Sequence, residues 1–411
     1  MKSSALFLFA SLWAAASLSA AEKLVINVTH DLAIARPSET ITIPWSEVNN
    51  ALPHALLQKI AVKDSAGHSL PYQVTNVAPT AKDPAVKGIA YGELIFQYSF
   101  AAGEKSATFT VEKTDTVSPI FPVKAFARYV PERLDDFAWE NDKIAHRTYG
   151  QALAAPSPEG MKKEVLVTSG VDIWCKRVSY PIVDRWYNKG HDHYHHDEGE
   201  GMDMYNVGKS CGCGGTGIYE NGTLYSGRNY KNWKILANGP IRAVFELTYD
   251  AWDAKGVQVS EVKRFTVDAG HNLDRLDSTF TFAGPAALTV AIGLNKNSAD
   301  KNQEPKTEVI QNEASAILGQ WITQKANESL GTAIIFPPGA LTGFIDQTGT
   351  TDAANLLALT KATSGTPVRY YVGAGWSRAG EFKTKADWEN YLQAFAARVA
   401  SPVKISCAAT K

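Results

Sequence analysis

Apolar and polar residues alternate strictly along most of this chain. Residues 24–28, 39–43, 92–98, 107–111 and 163–167 repeat with period two and are rich in β-branched and aromatic side chains, the signature of half-buried strands. In the second half the pattern lengthens. Residues 243–249, 257–267 and 273–282 read as three consecutive strands with turns at 250–256 and 268–272, an antiparallel meander. Further strands are expected at 287–294, 333–336 and 368–372. Helical spacing appears near the end of the chain. Trp388, Tyr391, Leu392, Phe395 and Val399 follow Thr384, a good N-cap, and Ser401-Pro402 closes the segment. The expectation is a mainly β protein with one C-terminal helix.

The ends and a central break divide the chain. Lys2 precedes an apolar run at 5–18 interrupted by Ser11 and Ser17, and the small residues Ser19, Ala20 and Ala21 follow. This predicts a cleaved secretory signal over 1–21, with a run too short to span a bilayer. The mature protein is therefore expected to be exported, periplasmic or secreted, without a membrane span. About 390 residues remain, enough for a substantial core. Residues 115–122 hold two prolines and no period, so they read as a crossover. On that reading, 22–118 form a small N-terminal β-sandwich and 119–411 a larger β unit that carries the site.

Charge narrows the partners. Lysine plus arginine is 41 and aspartate plus glutamate 42, a balance that argues against nucleic acid as the main partner. Aromatic residues make up 10%, enough to serve both a core and stacking on sugar rings. Cys175, Cys211, Cys213 and Cys407 allow three disulfide pairings, and free buried thiols or metal ligation stay open beside them. The oligomeric state is not readable from the sequence.

One segment departs from strand patterning. Residues 191–217 hold His191, His193, His195 and His196 with Asp192, Asp197, Glu198, Glu200 and Asp203, then Cys211 and Cys213. Imidazole both moves protons near neutral pH and ligates metals. His193, His195 and Asp197 are a candidate set for a divalent metal (zinc, manganese or calcium), although the spacing matches no standard site. In the other functional reading, His195 exchanges protons with Tyr205 or Tyr194 as acid and base. Glu200, set between Gly199 and Gly201, joins this catalytic set because flexible backbone on both sides can aim its carboxylate into a cleft. A solvated polar loop is the bland alternative. The run 133–147 is the second candidate. Arg133 and Arg147 suit a sugar carboxylate, and Trp139 suits a pyranose face, against the alternative of a salt-bridged strand between sheets. Trp376, beside Arg378, lines the same cleft or packs in the core.

Two resemblances add to this. Gly239-Pro240-Ile241-Arg242, then Arg264-Phe265-Thr266-Val267-Asp268-Ala269-Gly270 and Leu276-Asp277-Ser278-Thr279 resemble strands of galactose-mutarotase-like supersandwich proteins. That likeness implies a large antiparallel supersandwich joined to the N-terminal sandwich. Residues 132–142 and Gly373-Ala374-Gly375-Trp376-Ser377 resemble a family of exported bacterial proteins carried as a domain of unknown function. Its members accompany systems that degrade pectin and other uronate polysaccharides. His146 departs from its pattern, where an apolar or aromatic residue is expected. The likeness implies an exported carbohydrate-active protein with an oligosaccharide or polysaccharide substrate. β-Elimination by a lyase or dehydratase is the leading expectation, ahead of hydrolysis or epimerisation on the same fold and of non-catalytic glycan binding.

Overall fold

The computed structural model describes residues 23–75, 92–296, 306–325, 328–347 and 353–410, so the expected signal at 1–21 lies outside the described residues. Alternation builds the first unit directly. Leu24, Ile26 and Val28 are the inward residues of strand Lys23–Thr29 and pack against Ile41, Ile43, Leu94, Phe96, Phe109 and Val111. A five-stranded and a three-stranded antiparallel sheet enclose this core. The short helix Trp45–Ala51, not foreseen from the sequence, adds Trp45, Val48 and Ala51 to it. The last strand, Lys404–Thr410, also belongs here. It pairs along Lys23–Thr29 and sets Cys407 opposite Ile26. The sequence reading left it with the larger unit. In the fold it covers backbone groups that an edge strand would leave open.

The larger unit is a layered sandwich. An eight-stranded antiparallel sheet faces two five-stranded sheets across one core. The meander is its centre, formed by Arg242–Ala254, Val257–Asp268 and Leu273–Thr281. Its first strand runs through the turn expected at 250–256. The register shifts between Tyr249 and Trp252, and the chain reverses only at Lys255-Gly256, both with positive φ. That two-residue turn matches the twist of the strands it joins. Phe245, Leu247, Phe265 and Leu276 point into the core.

The C-terminal helix is Lys385–Ala400, and Thr384 and Asp387 close a capping box at its start. It lies on the outer face of the eight-stranded sheet, burying Trp388, Leu392 and Phe395 against Leu273, Ile317 and Ile335. Gly331 permits this approach, because a Cβ there would stand 2.7 Å from the Trp388 ring.

One other expectation fails. Residues 163–167 form no strand. Their backbone groups are taken by other segments instead: Leu166 N donates to Leu153 O, and Asn229 donates to Leu166 O. All four cysteines are free thiols, three of them buried.

Candidate functional site

Two of the candidate residues, Trp139 and Arg147, sit on one five-stranded sheet: Phe126–Val130, Asp136–Glu140, Ala145–Thr148, Val171–Lys176 and Gly201–Asp203. Alternation splits it cleanly. Phe137, Trp139, Ile173 and Cys175 enter the main core. Asp136, Glu140, Arg147, Asp172, Lys176 and Asp203 share the opposite face with Trp174, and the helices Val183–Lys189 and His191–Tyr194 cover that face with Trp186, Tyr187 and Tyr194. The histidine-rich segment thus begins as a turn of helix, His191–Tyr194.

Arg147 is the hub of this covered layer. Its Nε donates to Asp172 Oδ2 at 2.9 Å, one Nη to Asp203 Oδ2 at 2.7 Å and the other to the Tyr194 hydroxyl at 3.2 Å. Asp136 lies 3.6 Å away, and the guanidinium rests over the rings of Tyr149, Trp174 and Tyr194. Burial opposes its charge, but Tyr149 and the three aspartates outweigh burial and hold it ionised. Burial also raises Asp136 to about 6 and lifts Asp203 well above the usual carboxylate range. Beside it Lys176 donates to Glu140 at 2.8 Å, and Glu140 accepts the backbone N–H groups of Ile182 and Val183. Arg147 therefore clamps the sheet to its helices instead of facing a substrate carboxylate.

Most of the other candidates are also held in place. Trp139 is 1% exposed, donates Nε1 to Asp274 Oδ2 at 2.8 Å and stacks on His146. Burial raises Asp274 to about 7 and lowers His146 to about 4, as expected of a dry interior. His146 thus fills a place where an aromatic ring was expected, and it does so as a ring. Trp376 is buried, with the Arg378 guanidinium over its face. Arg133 pairs with Glu164 at 2.8 Å and lies 3.6 Å from Asp136. Glu200 accepts from Tyr180, twice from Arg185, and from Trp186. Burial alone would raise its pKa, but these donors lower it and keep the carboxylate charged. Gly201 is explained by packing, because a Cβ there would meet the Cys175 carbonyl at 2.0 Å.

The proposed metal ligands do not converge. His193 Nδ1 pairs with Glu198 at 2.9 Å. Asp197 accepts the amides of Gly199 and Gly201 on one oxygen, and its other oxygen forms an ion pair with Arg378 at 2.7 Å. His195 turns Nδ1 to a carbonyl. Among the described residues no group of three His, Cys, Asp or Glu side chains is placed to hold an ion.

His195 differs from its neighbours. Its Nδ1 lies 3.1 Å from the Asp203 backbone oxygen. A carbonyl only accepts, so Nδ1 carries the ring proton and the neutral ring keeps its lone pair on Nε2. The side chain is 38% exposed, and its ring packs on Tyr194 and His191. Burial, with help from His191 and Arg147, lowers its pKa below 6.5. At neutral pH it is an anchored, open, unprotonated imidazole. Tyr205, two residues beyond Asp203, is 5% exposed. Asp172, Trp174, Lys176 and Tyr187 complete the covered layer without having been candidates. The strand Val171–Lys176 carried the signal, because Asp172 and Lys176 flank Trp174 at period two.

Comparison with solved structures finds distant similarity in shape. An alpha-mannosidase from Enterococcus faecalis V583 matches with TM-score 0.47 at 8% identity, over 95% of this chain and 46% of that one. A glycosyl hydrolase family 38 protein from Enterococcus faecalis matches with the same score and identity, over 95% and 48%. The chain spans about half the length of these structures. Among curated proteins, uncharacterized protein P7 of Formosa agariphila is 31% identical over 401 residues, 97% of this chain and 96% of the relative. The profile described as domain of unknown function DUF4861 matches residues 28–405. The chain belongs to the DUF4861 family.

Proposed function

We propose that this protein is an exported carbohydrate-active enzyme that acts on uronic-acid-containing oligosaccharides by β-elimination, with His195 as the proton-transfer group. The observation that carries this reading is the His195 geometry: Nδ1 tethered to Asp203 O and Nε2 left as an open base. In the reaction Nε2 takes the proton at C5 of the uronate. The C5–H electron pair forms the C4–C5 double bond, the C4–O bond breaks, and the departing oxygen receives a proton. The tethered imidazolium is the open donor for that second transfer. Its Nδ1–H to Asp203 O contact holds the ring in place in both states.

The loop favours this over hydrolysis. Glycoside hydrolysis generally needs a pair of carboxyl groups, one of them protonated. Glu200 is the acid suggested by the sequence, and its donors keep it ionised. The family resemblance noted in the sequence supports a uronate substrate and export. Incubation with oligogalacturonides and with glucuronate–rhamnose oligomers tests the reading, through the ultraviolet absorbance of the unsaturated uronate. Growth of that absorbance with wild-type protein, and its loss in His195→Ala, is expected. Absence of the signal with every uronate substrate rules the reading out.

A further inference from the structure

The outer face of the eight-stranded sheet carries a grid of charges beside the C-terminal helix. Arg242, Val244 and Glu246 stand opposite Asp268, Thr266 and Arg264 on the next strand. Arg264 and Thr266 stand opposite Asp277 and Arg275, which in turn face Arg369 and Tyr371. Three ion pairs close within this grid. Arg242 donates twice to Asp268 at 2.6 and 2.7 Å, Arg264 donates to Glu246 at 2.8 Å, and Arg369 donates to Asp277 at 2.6 Å. A fourth pair is looser. Arg275 Nη2 donates to Thr266, and its buried Nε stands 3.2 Å from Asp277 Oδ2 without making a hydrogen bond, while Asp277 Oδ1 accepts from Arg369.

A second arginine in the same condition reaches in from the helix. Arg36 donates to both oxygens of Glu39, so Arg398 stands 3.8 Å from that carboxylate with a buried Nε that makes no hydrogen bond. One Nη of Arg398 donates to Pro37 O. The other lies 3.4 Å from His271 Nε2. That nitrogen faces the Ser38 carbonyl at 2.9 Å, so it carries a proton and cannot accept from Arg398.

Arg275 and Arg398 line one cavity of about 380 Å³, together with Arg242, Tyr371, Thr40 and Thr266. Its size lies within the range of about 300–1,000 Å³ usual for small-molecule sites. The lining sets four arginines, Arg242, Arg264, Arg275 and Arg398, against three acids, Glu39, Glu93 and Asp268, beside hydroxyl groups. We propose that this cavity binds a saccharide bearing an oxoanion, with its carboxylate or sulfate between Arg275 and Arg398 and its hydroxyls toward Thr40, Thr266 and Tyr371. The planar guanidinium fork fits either oxoanion through paired N–H donors. Burial lowers the pKa of both arginines, so an incoming anion would relieve a cost that the empty cavity carries. The cavity is built from the N-terminal sandwich, the meander and the helix. It shares no residue with the His195 loop, so binding here can stand or fall apart from turnover there.

Calorimetry on the wild-type chain tests the proposal with digalacturonate, its dimethyl ester and a sulfated galactose disaccharide. Binding of the diacid or the sulfated sugar is expected, and whichever binds more tightly identifies the preferred anion. Esterification, Arg275→Gln and Arg398→Gln should each weaken diacid binding by about tenfold or more, because each removes a charge-assisted contact. If the diacid is not bound, the two variants are read with the sulfated sugar. The proposal is overturned if neither anion binds, if diacid and ester bind alike, or if both variants bind as wild type does. The ester comparison uses wild-type protein alone and so does not depend on how the variants fold.

Discussion

The Nδ1 of His195 lies 3.1 Å from the backbone oxygen of Asp203, while the Asp203 side chain takes a hydrogen bond from Arg147 at 2.7 Å. One residue thus holds the exposed base through its main chain and the buried clamp through its carboxylate. Disturbing the clamp should move the base.

His195→Ala is expected to lower turnover of uronate oligosaccharides by about 10²–10⁴ with folding unchanged. In the wild type, the rate should rise with pH through an acid limb centred below 6.5, because the base must be neutral and burial lowers its pKa. Steady-state rates across pH, paired with circular dichroism, check both points. A limb above 6.5 would contradict the assignment.

Arg147→Met is expected to behave as a stability mutation. It leaves Asp136, Asp172 and Asp203 without their shared counter-charge, and removing one partner of a buried ionic network costs roughly 3–5 kcal/mol. Denaturant unfolding measures this. A loss below about 1 kcal/mol, the scale of an exposed pair, would show that the network is not structural.

Glu200→Gln should leave turnover close to wild type, because the carboxylate is occupied by Tyr180, Arg185 and Trp186. The cost should appear in stability, at about 1–3 kcal/mol for weakened hydrogen bonds to a charged group. A rate loss as large as that of His195→Ala would return Glu200 to the chemistry.

His146 makes folding acid-sensitive. The unfolded chain protonates this histidine near 6.5, and the folded chain only near 4. Between those values the unfolded state binds more protons, so stability falls as pH falls, by roughly 3 kcal/mol over the window. Asp136 and Asp274 act in the opposite direction, because their raised values let the folded state take up protons first as pH falls. Comparison with His146→Phe cancels those terms. The variant should gain on wild type steadily from pH 6.5 to about 4. A pH-independent difference in denaturant midpoints would show that His146 is not buried as a neutral ring.

Much of this fold was legible in the sequence because local pattern and burial agree. Leu24, Ile26 and Val28 alternate and are buried, and Thr384 caps the helix that it was expected to cap. The failures arise where distant partners decide. Residues 163–167 have strand composition, but Leu153 and Asn229 take their backbone groups. Strand Lys404–Thr410 is largely exposed and carries little apolar signal, and its place comes from pairing with the first strand. At the site, the density of charge around Arg147 and Glu200 looked like chemistry. It turned out to be mostly a covered ionic layer, and neither Arg185 on Glu200 nor Arg378 on Asp197 could be paired by spacing. His195 was visible by residue type, but its exposure and its fixed tautomer come from the fold.

The most direct test is an NMR time course of trigalacturonate with wild-type protein and with His195→Ala. The account predicts that wild type produces the vinylic H4 signal of a 4,5-unsaturated uronate and that His195→Ala does not. New saturated reducing ends without that signal, or equal rates in the two proteins, would contradict it.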